Sequence, residues 1–271
     1  MTPNMVERNV ADVLRAALTD ASGGVLAVHP SAEAIEELIE VLTELDEGPP
    51  VRLLAPESVL KEVTDDFILA STAADRIEEG VLELRVAEEP PTNSLLITEG
   101  AITAVVDAGD RVAGLTTEEE AFVGSANERY EELWAEASDF SLRTPPISRV
   151  RETLADDLGP GIESDFDGVL ASLETARGDG DGLDEVTISL LVAARNEALL
   201  YDISKWGEDV GIASKATFSR TKTKLEDMGL LDTEKVPIDV GRPRLRLMLG
   251  DDRLQGADTD QLASVAQTIL T

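Results

Sequence analysis

Apolar residues recur at helical spacing over residues 4–20, where Val6, Val10, Val13, Leu14 and Ala17 fall on one side of a helix. Gly23 and Gly24 break that run, and the continuous apolar stretch Val25, Leu26, Ala27, Val28 reads as a buried strand. A second helix follows, with Ile35, Leu38, Ile39 and Leu42 on one face, Ser31 as its N-cap and Glu33 and Glu36 in the first turns. The unit repeats after Gly48-Pro49-Pro50: a strand over 51–54, a turn at 56–58, a helix over 59–79 ended by Gly80, and a third strand over 81–86. This β-α-β-α-β order predicts a parallel sheet with helices packed on it.

Three short strands over 94–98, 101–106 and 111–115 are joined by turns too tight for a crossover, so they form an antiparallel meander. The expected fold class is therefore a mixed-sheet α/β domain, continued by a long helix over 117–137. Helices over 147–158 and 164–176 follow, separated by Gly159-Pro160-Gly161. Residues 177–182, RGDGDG, read as a polar Gly/Asp-rich linker. The run is too short for a calcium loop, which needs further ligands and a closing bidentate Glu.

Beyond the linker the periodicity changes character. A helix from Asp184 offers Val186, Leu190, Leu191, Ala194 and Leu199 to a core. A short helix over 203–210, a turn at Gly211, and a third helix capped by Ser214 and running through Asp227 come next. Gly229 then closes that helix, and two β-prone runs, 231–238 and 242–249, flank the turn at 239–243. Three helices and a hairpin make a winged helix-turn-helix. The expected division is an α/β sensor or assembly domain over 1–142, a helical connector and linker over 143–183, the winged helix over 184–250 and a C-terminal helix over 251–271.

Charge changes this picture. The 271 residues hold 55 Asp and Glu against 23 Lys and Arg, a net charge of −32. Residues 1–183 carry −28 and 251–271 carry −3, whereas 184–250 carry only −1. Five of the six lysines lie between 205 and 235, and 214–224 has four basic residues and no acid. An acidic background that is locally abandoned marks an interaction surface. The background itself, poor in Lys and free of Cys, fits a cytoplasmic protein of a salt-loaded cell, where salt screens self-repulsion.

On the third helix Phe218 and Leu225, with Thr221 or Met228, are expected to form the buried face. Ser214 caps it, Lys215, Thr217, Ser219 and Arg220 are candidates for base edges, and Lys222 and Lys224 for phosphate. Arg242, Arg244 and Arg246 alternate, so all three point to one side of the second wing strand, suited to the sugar-phosphate backbone or an adjacent minor groove. Trp206 reads as a core residue between helices.

Other chemistry is sparse. With no Cys and a single His, His29, disulfides, thiolate metal sites and His clusters are excluded, and no cofactor is expected. No G-x-S-x-G, Walker A or dinucleotide fingerprint is present, and one His cannot supply the two His/Lys copies of a phospholipase D type site. No apolar run approaches 18 residues, so no membrane span is expected, and the N-terminus does not read as a signal peptide. Loops after the first two strands place His29, Ser31 and Ser58 at helix N-termini, a candidate site for a phosphorylated metabolite, with Arg52 and Lys61 the nearest cations.

The run ISKWGEDVGIASKATFSR over 203–220 resembles the helix-turn-helix of archaeal winged-helix regulators, and GRPR over 241–244 resembles their wing. Most of the chain is similar to the haloarchaeal TbsP-like regulators, a family tied to the sugar-responsive TrmB regulators. The stretches LLAPESVL (53–60), NSLLITE (93–99), GDRVAGL (109–115) and LRTPP (142–146) carry the likeness in the first domain. The resemblance implies transcriptional control of central carbon genes. The sensor precedes the DNA module here, the reverse of the usual order in sugar-responsive regulators of that type, so no sugar site is carried over. The expected partners are double-stranded promoter DNA, a second copy of the chain through helix 4–20 or the stretch 261–270, and a small-molecule metabolite effector. A winged helix that docks protein instead of DNA, and an α/β enzyme with a regulatory domain, are the alternatives.

Overall fold

The computed structural model describes residues 4–45, 48–88, 92–177, 183–238 and 243–270. The chain divides into two units, one of residues 1–65 and 72–142, the other of residues 66–71 and 143–271. Among the described residues no helix is long and apolar enough to cross a membrane.

The first unit is a mixed sheet. β1 (Met5–Glu7) and α1 (Val10–Asp20) precede β2 (Val25–Val28), α2 (Ala32–Glu44), β3 (Val51–Ala55), α3 (Glu57–Thr64), α4 (Phe67–Glu78) and β4 (Leu82–Val86). The meander is β5 (Leu95–Ile97), β6 (Ile102–Asp107) and β7 (Val112–Thr117), followed by α5 (Glu120–Glu136) and the two-residue β8 (Ser138–Asp139). The eight strands lie in the order β1-β7-β6-β5-β2-β3-β4-β8. β2, β3 and β4 are parallel, as the repeated strand–helix pattern predicts, in the register Val25↔Val51 and Val51↔Leu82. All other pairings are antiparallel. All four residues of β2 are buried, as in a strand covered on both faces. Leu26, Val28 and Leu54 pack with Val123, Tyr130 and Trp134 of α5 on one side of the sheet.

Several boundaries differ from expectation, each for a local reason. The helix expected over 4–20 starts at Val10, because Asn9 accepts the Asp12 N–H at 3.0 Å as N-cap, and residues 5–7 instead extend the sheet. Gly114 permits this pairing: a Cβ there would lie 3.0 Å from Val13 and 3.1 Å from Met5. The helix expected over 59–79 is two helices. Asp66, buried in the middle, accepts the N–H groups of Ile68 (2.8 Å) and Leu69 (3.2 Å) and so starts α4 afresh. Thr117 ends β7 rather than opening α5, whose N-cap is Glu119.

The second unit comprises α6 (Ile147–Leu158), α7 (Pro160–Ala171), α8 (Glu185–Arg195), α9 (Leu200–Val210), α10 (Lys215–Asp227), β9 (Leu231–Val236), β10 (Arg244–Leu249), α11 (Asp252–Gln255) and α12 (Thr259–Leu270), with residues 66–71 of α4. α7 begins earlier than the pattern suggested, with Pro160 at its first position, where the missing N–H costs nothing. α8 is buried from Val186 to Ala194 without interruption and is the central helix. Around it one core collects Ile147, Val150 and Leu154 of α6, Ile162 and Phe166 of α7, Trp206 of α9, Phe218 of α10 and Leu262 of α12. The helices of the expected connector thus share a core with the winged helix. Phe67 meets Phe166 edge-on at 6.4 Å. The Asp66 carboxylate accepts the Ala176 N–H at 3.0 Å. Linker residues 178–182 and the wing turn 239–242, with Arg242, lie outside the described residues.

Candidate nucleic-acid interface

The helix-turn-helix is set by two glycines. Gly211 takes φ 96°, a left-handed turn open to glycine, and its N–H closes α9 on the Gly207 carbonyl. Gly207 faces the Phe218 ring so closely that a Cβ would lie 2.4 Å from it. The fully buried Phe218 thereby seats α10 against α9. Trp206, also buried, donates its indole N–H to Thr153 Oγ1 at 3.0 Å. It is a core residue, as expected. The wing is anchored to the same core. Leu199 bridges to Arg246, and the Leu247 N–H donates to the Ala198 carbonyl, so the α8–α9 connection adds a third rung to the hairpin.

Along α10, Lys215, Ala216, Ser219, Arg220, Thr223, Lys224 and Asp227 are exposed, while Phe218, Lys222 and Leu225 are buried. The exposed positions recur at intervals of three and four, so they form one stripe opposite the core. Ser214 caps the helix, accepting the Thr217 N–H at 3.2 Å, and its hydroxyl lies 3.1 Å from that of Thr217. Arg220 reaches back to Thr217 Oγ1 at 3.4 Å. Among the described residues neither Arg220 nor Lys224 forms an ion pair, and both are exposed. Lys215 is less free: its Nζ lies 2.6 Å from Glu208 Oε2, and its backbone N–H also donates to that carboxylate. This hydrogen bond raises the Lys215 pKa and lowers that of Glu208.

Two expectations are corrected. Lys222 is not on the outer stripe. It is only 9% exposed, takes the place expected for Thr221 or Met228 on the inner face, and binds Glu226 at 2.7 Å. Arg244 and Arg246 do share the outer face of β10, but carboxylates already hold them. Arg244 lies 3.3 Å from Asp202 and 4.2 Å above the Tyr201 ring, and Arg246 lies 3.3 Å from Glu234, its cross-strand partner. Lys235 on β9, one of the five lysines clustered between 205 and 235, is exposed and forms no ion pair among the described residues.

The speculated metabolite edge is built differently from a clamp. β2 and β3 are adjacent, so His29, Ser31 and Ser58 do come to one edge of the sheet. There His29 adopts φ 47° and donates its N–H to the Leu54 carbonyl, Ser31 Oγ accepts the Ala34 N–H as a cap, and Ser58 is exposed. Both nearby cations are occupied. Arg52 forms a forked pair with Glu131 and lies over Trp134, and Lys61 pairs with Glu57 at 2.7 Å.

Two family models match the chain: the N-terminal domain of TbsP-like transcriptional regulators over residues 2–145, and their C-terminal helix-turn-helix domain over 146–267. The chain belongs to the TbsP-like transcriptional regulators. In this TbsP-like chain the family's C-terminal domain spans α6 to α12, more than the winged helix alone. No curated protein matches it in sequence. Among solved structures it is similar to TrmBL2, described as an archaeal chromatin protein with a novel mode of DNA binding (17% identity, TM-score 0.37, covering 51% of this chain and 54% of that one). It is also similar to Nuc, a phospholipase D family member from Salmonella typhimurium (11%, TM-score 0.35, 51% and 97%), and to NucT from Helicobacter pylori (10%, TM-score 0.36, 51% and 99%). The TbsP-like chain spans about half the length of TrmBL2. With TM-scores below 0.5, none of the three bears on what it binds.

Proposed function

We propose that this TbsP-like regulator binds double-stranded promoter DNA with the outer stripe of α10, where Ser219, Arg220 and Lys224 meet the groove and its phosphates. The observation that carries the reading is the exposure of Arg220 and Lys224 without a carboxylate partner among the described residues, in a chain of net charge −32. A solvated surface helix in such a chain would be expected to carry Asp and Glu there. A helix-turn-helix whose second helix is rooted by Phe218 presents such a stripe to the major groove. Arg220 is the base reader of this reading, since guanidinium pairs with guanine in two hydrogen bonds. Arg244 and Arg246 position the wing through Asp202, Tyr201 and Glu234.

The regulator works as a homodimer on a two-fold operator. Both helices considered for the interface, α1 and α12, also contribute buried residues to the core of their own unit. The family resemblance supports central carbon genes as targets and an archaeal source, the acidic composition supports a salt-loaded cytoplasm, and the shared edge of β2 and β3 at His29, Ser31 and Ser58 supports a metabolite effector. Genome-wide occupancy with and without glucose tests the target. Arg220→Ala is expected to lower promoter affinity about tenfold or more. Negligible occupancy by both wild type and Arg220→Ala would sink the DNA reading.

A further inference from the structure

The first unit holds a cleft of about 500 Å³ between α5 and the meander β5–β7, in the size range of small-molecule sites. Its walls are mainly apolar: Leu95, Ile102, Leu115, Phe122 and Tyr130. Phe122 is 56% and Leu115 46% exposed, large apolar groups left in water. Its polar lining comes from both sides: Asn93 and Thr117 from the meander, Ser125 and Arg129 from α5. Thr117 and Ser125 are engaged locally, the first accepting the Glu119 N–H and the second donating to the Ala121 carbonyl. The charged group is Arg129. It is exposed, and unlike Arg15, Arg52, Arg76 and Arg85 it forms no ion pair among the described residues, although Glu132 lies one helical turn away.

We propose that this cleft binds a small amphiphilic monocarboxylate, its apolar body against Phe122, Leu115 and Ile102 and its carboxylate on Arg129. The lining decides the class. A sugar needs many free hydrogen-bonding groups, whereas here the Thr117 and Ser125 hydroxyls are engaged locally and most of the lining is apolar. A polyphosphate needs several cations, whereas a single arginine stands here on a helix that also bears Glu128, Glu131, Glu132 and Glu136. One cation beside an apolar hollow matches one negative charge on an apolar body. This site is distinct from the sheet edge at His29 and Ser31, and its occupancy does not depend on the DNA reading.

Calorimetry on the full chain with octanoate, octanol and octylamine tests it. Octanoate is expected to bind with one-to-one stoichiometry, about tenfold more tightly than the alcohol or the amine. Arg129→Gln, an exposed change, is expected to erase that preference, and Ala126→Trp, which fills the cleft, to abolish binding while the protein still melts cooperatively. Equal affinity for octanoate and octanol, an Arg129→Gln protein that keeps the preference, or no saturable binding by wild type would overturn the proposal. So would sedimentation showing that Phe122→Glu converts a dimer into a monomer, since a second copy would then fill the cleft.

Discussion

α5 and α10 follow the same amphipathic rule but use cations in opposite ways. α5 bears five acids and one arginine, and it is fastened from beneath by arginines of the sheet. Arg52 and Arg85 lie 5.4 and 4.6 Å from the Trp134 ring, and Arg85 donates to the Trp134 carbonyl at 2.8 Å. The Arg52 fork holds Glu131 below the ordinary carboxylate range, chiefly through the hydrogen bond. α10 bears four basic residues and two acids and is fastened by an apolar ring, Phe218, which leaves cations for its outer face. The difference teaches that charge counted along a helix is not charge offered by it. Of the four cations on α10, Lys222 is buried with Glu226 and Lys215 is held by Glu208, so Arg220 and Lys224 are the ones presented.

The largest expected effect removes the ring that α5 depends on. Trp134→Ala should cost about 3–5 kcal/mol, read from denaturant unfolding. A loss near zero would mean that the arginines do not rest on it. Next, Gly207→Val should press on Phe218 and cost about 1–3 kcal/mol, and promoter binding should weaken with it. Stability equal to wild type would show that α10 is not seated as described.

A smaller effect separates neighbours on α10. Lys224→Met should reduce the salt slope of DNA binding by about one, whereas Lys222→Met should leave it unchanged. The reverse order would place Lys222 outside. The smallest effect concerns a surface pair. Hydrogen bonds from Arg253 hold Asp251 at about 2 instead of the ordinary 3.8. Because the folded value is depressed, the pair's contribution is present above 3.8 and is lost as pH falls through about 2. NMR titration of the Asp251 carboxyl should give that midpoint, and Arg253→Ala should return it toward 3.8.

Much of this was readable from the chain. Strict punctuation by Gly and Pro around apolar runs located β2 to β7 and α8 to α10, and the acid-free stretch pointed at α10. The Lys222–Glu226 spacing of four was also legible as an ion pair, and it outranks a phosphate role once the helix face is known. Other features were not local. The strand at 5–7 is defined by a partner more than a hundred residues away, and Arg244 finds its carboxylate at Asp202. Periodicity says that α6 and α7 bury one face but not which core receives it. The start of α4 at Asp66 breaks an apolar rhythm that, read alone, continues.

That aspartate has a consequence for how such proteins can be recombined. Asp66 and Phe67 are separated from residue 143 by most of the α/β chain, yet they belong to the unit that carries the helix-turn-helix. A fragment beginning at 143 lacks the acceptor for the Ala176 N–H and the edge-on neighbour of Phe166. A single crossover near 142 therefore does not carry the whole unit that bears the helix-turn-helix. A graft of residues 143–271 is complete only if the recipient supplies its own equivalent of that one helical turn.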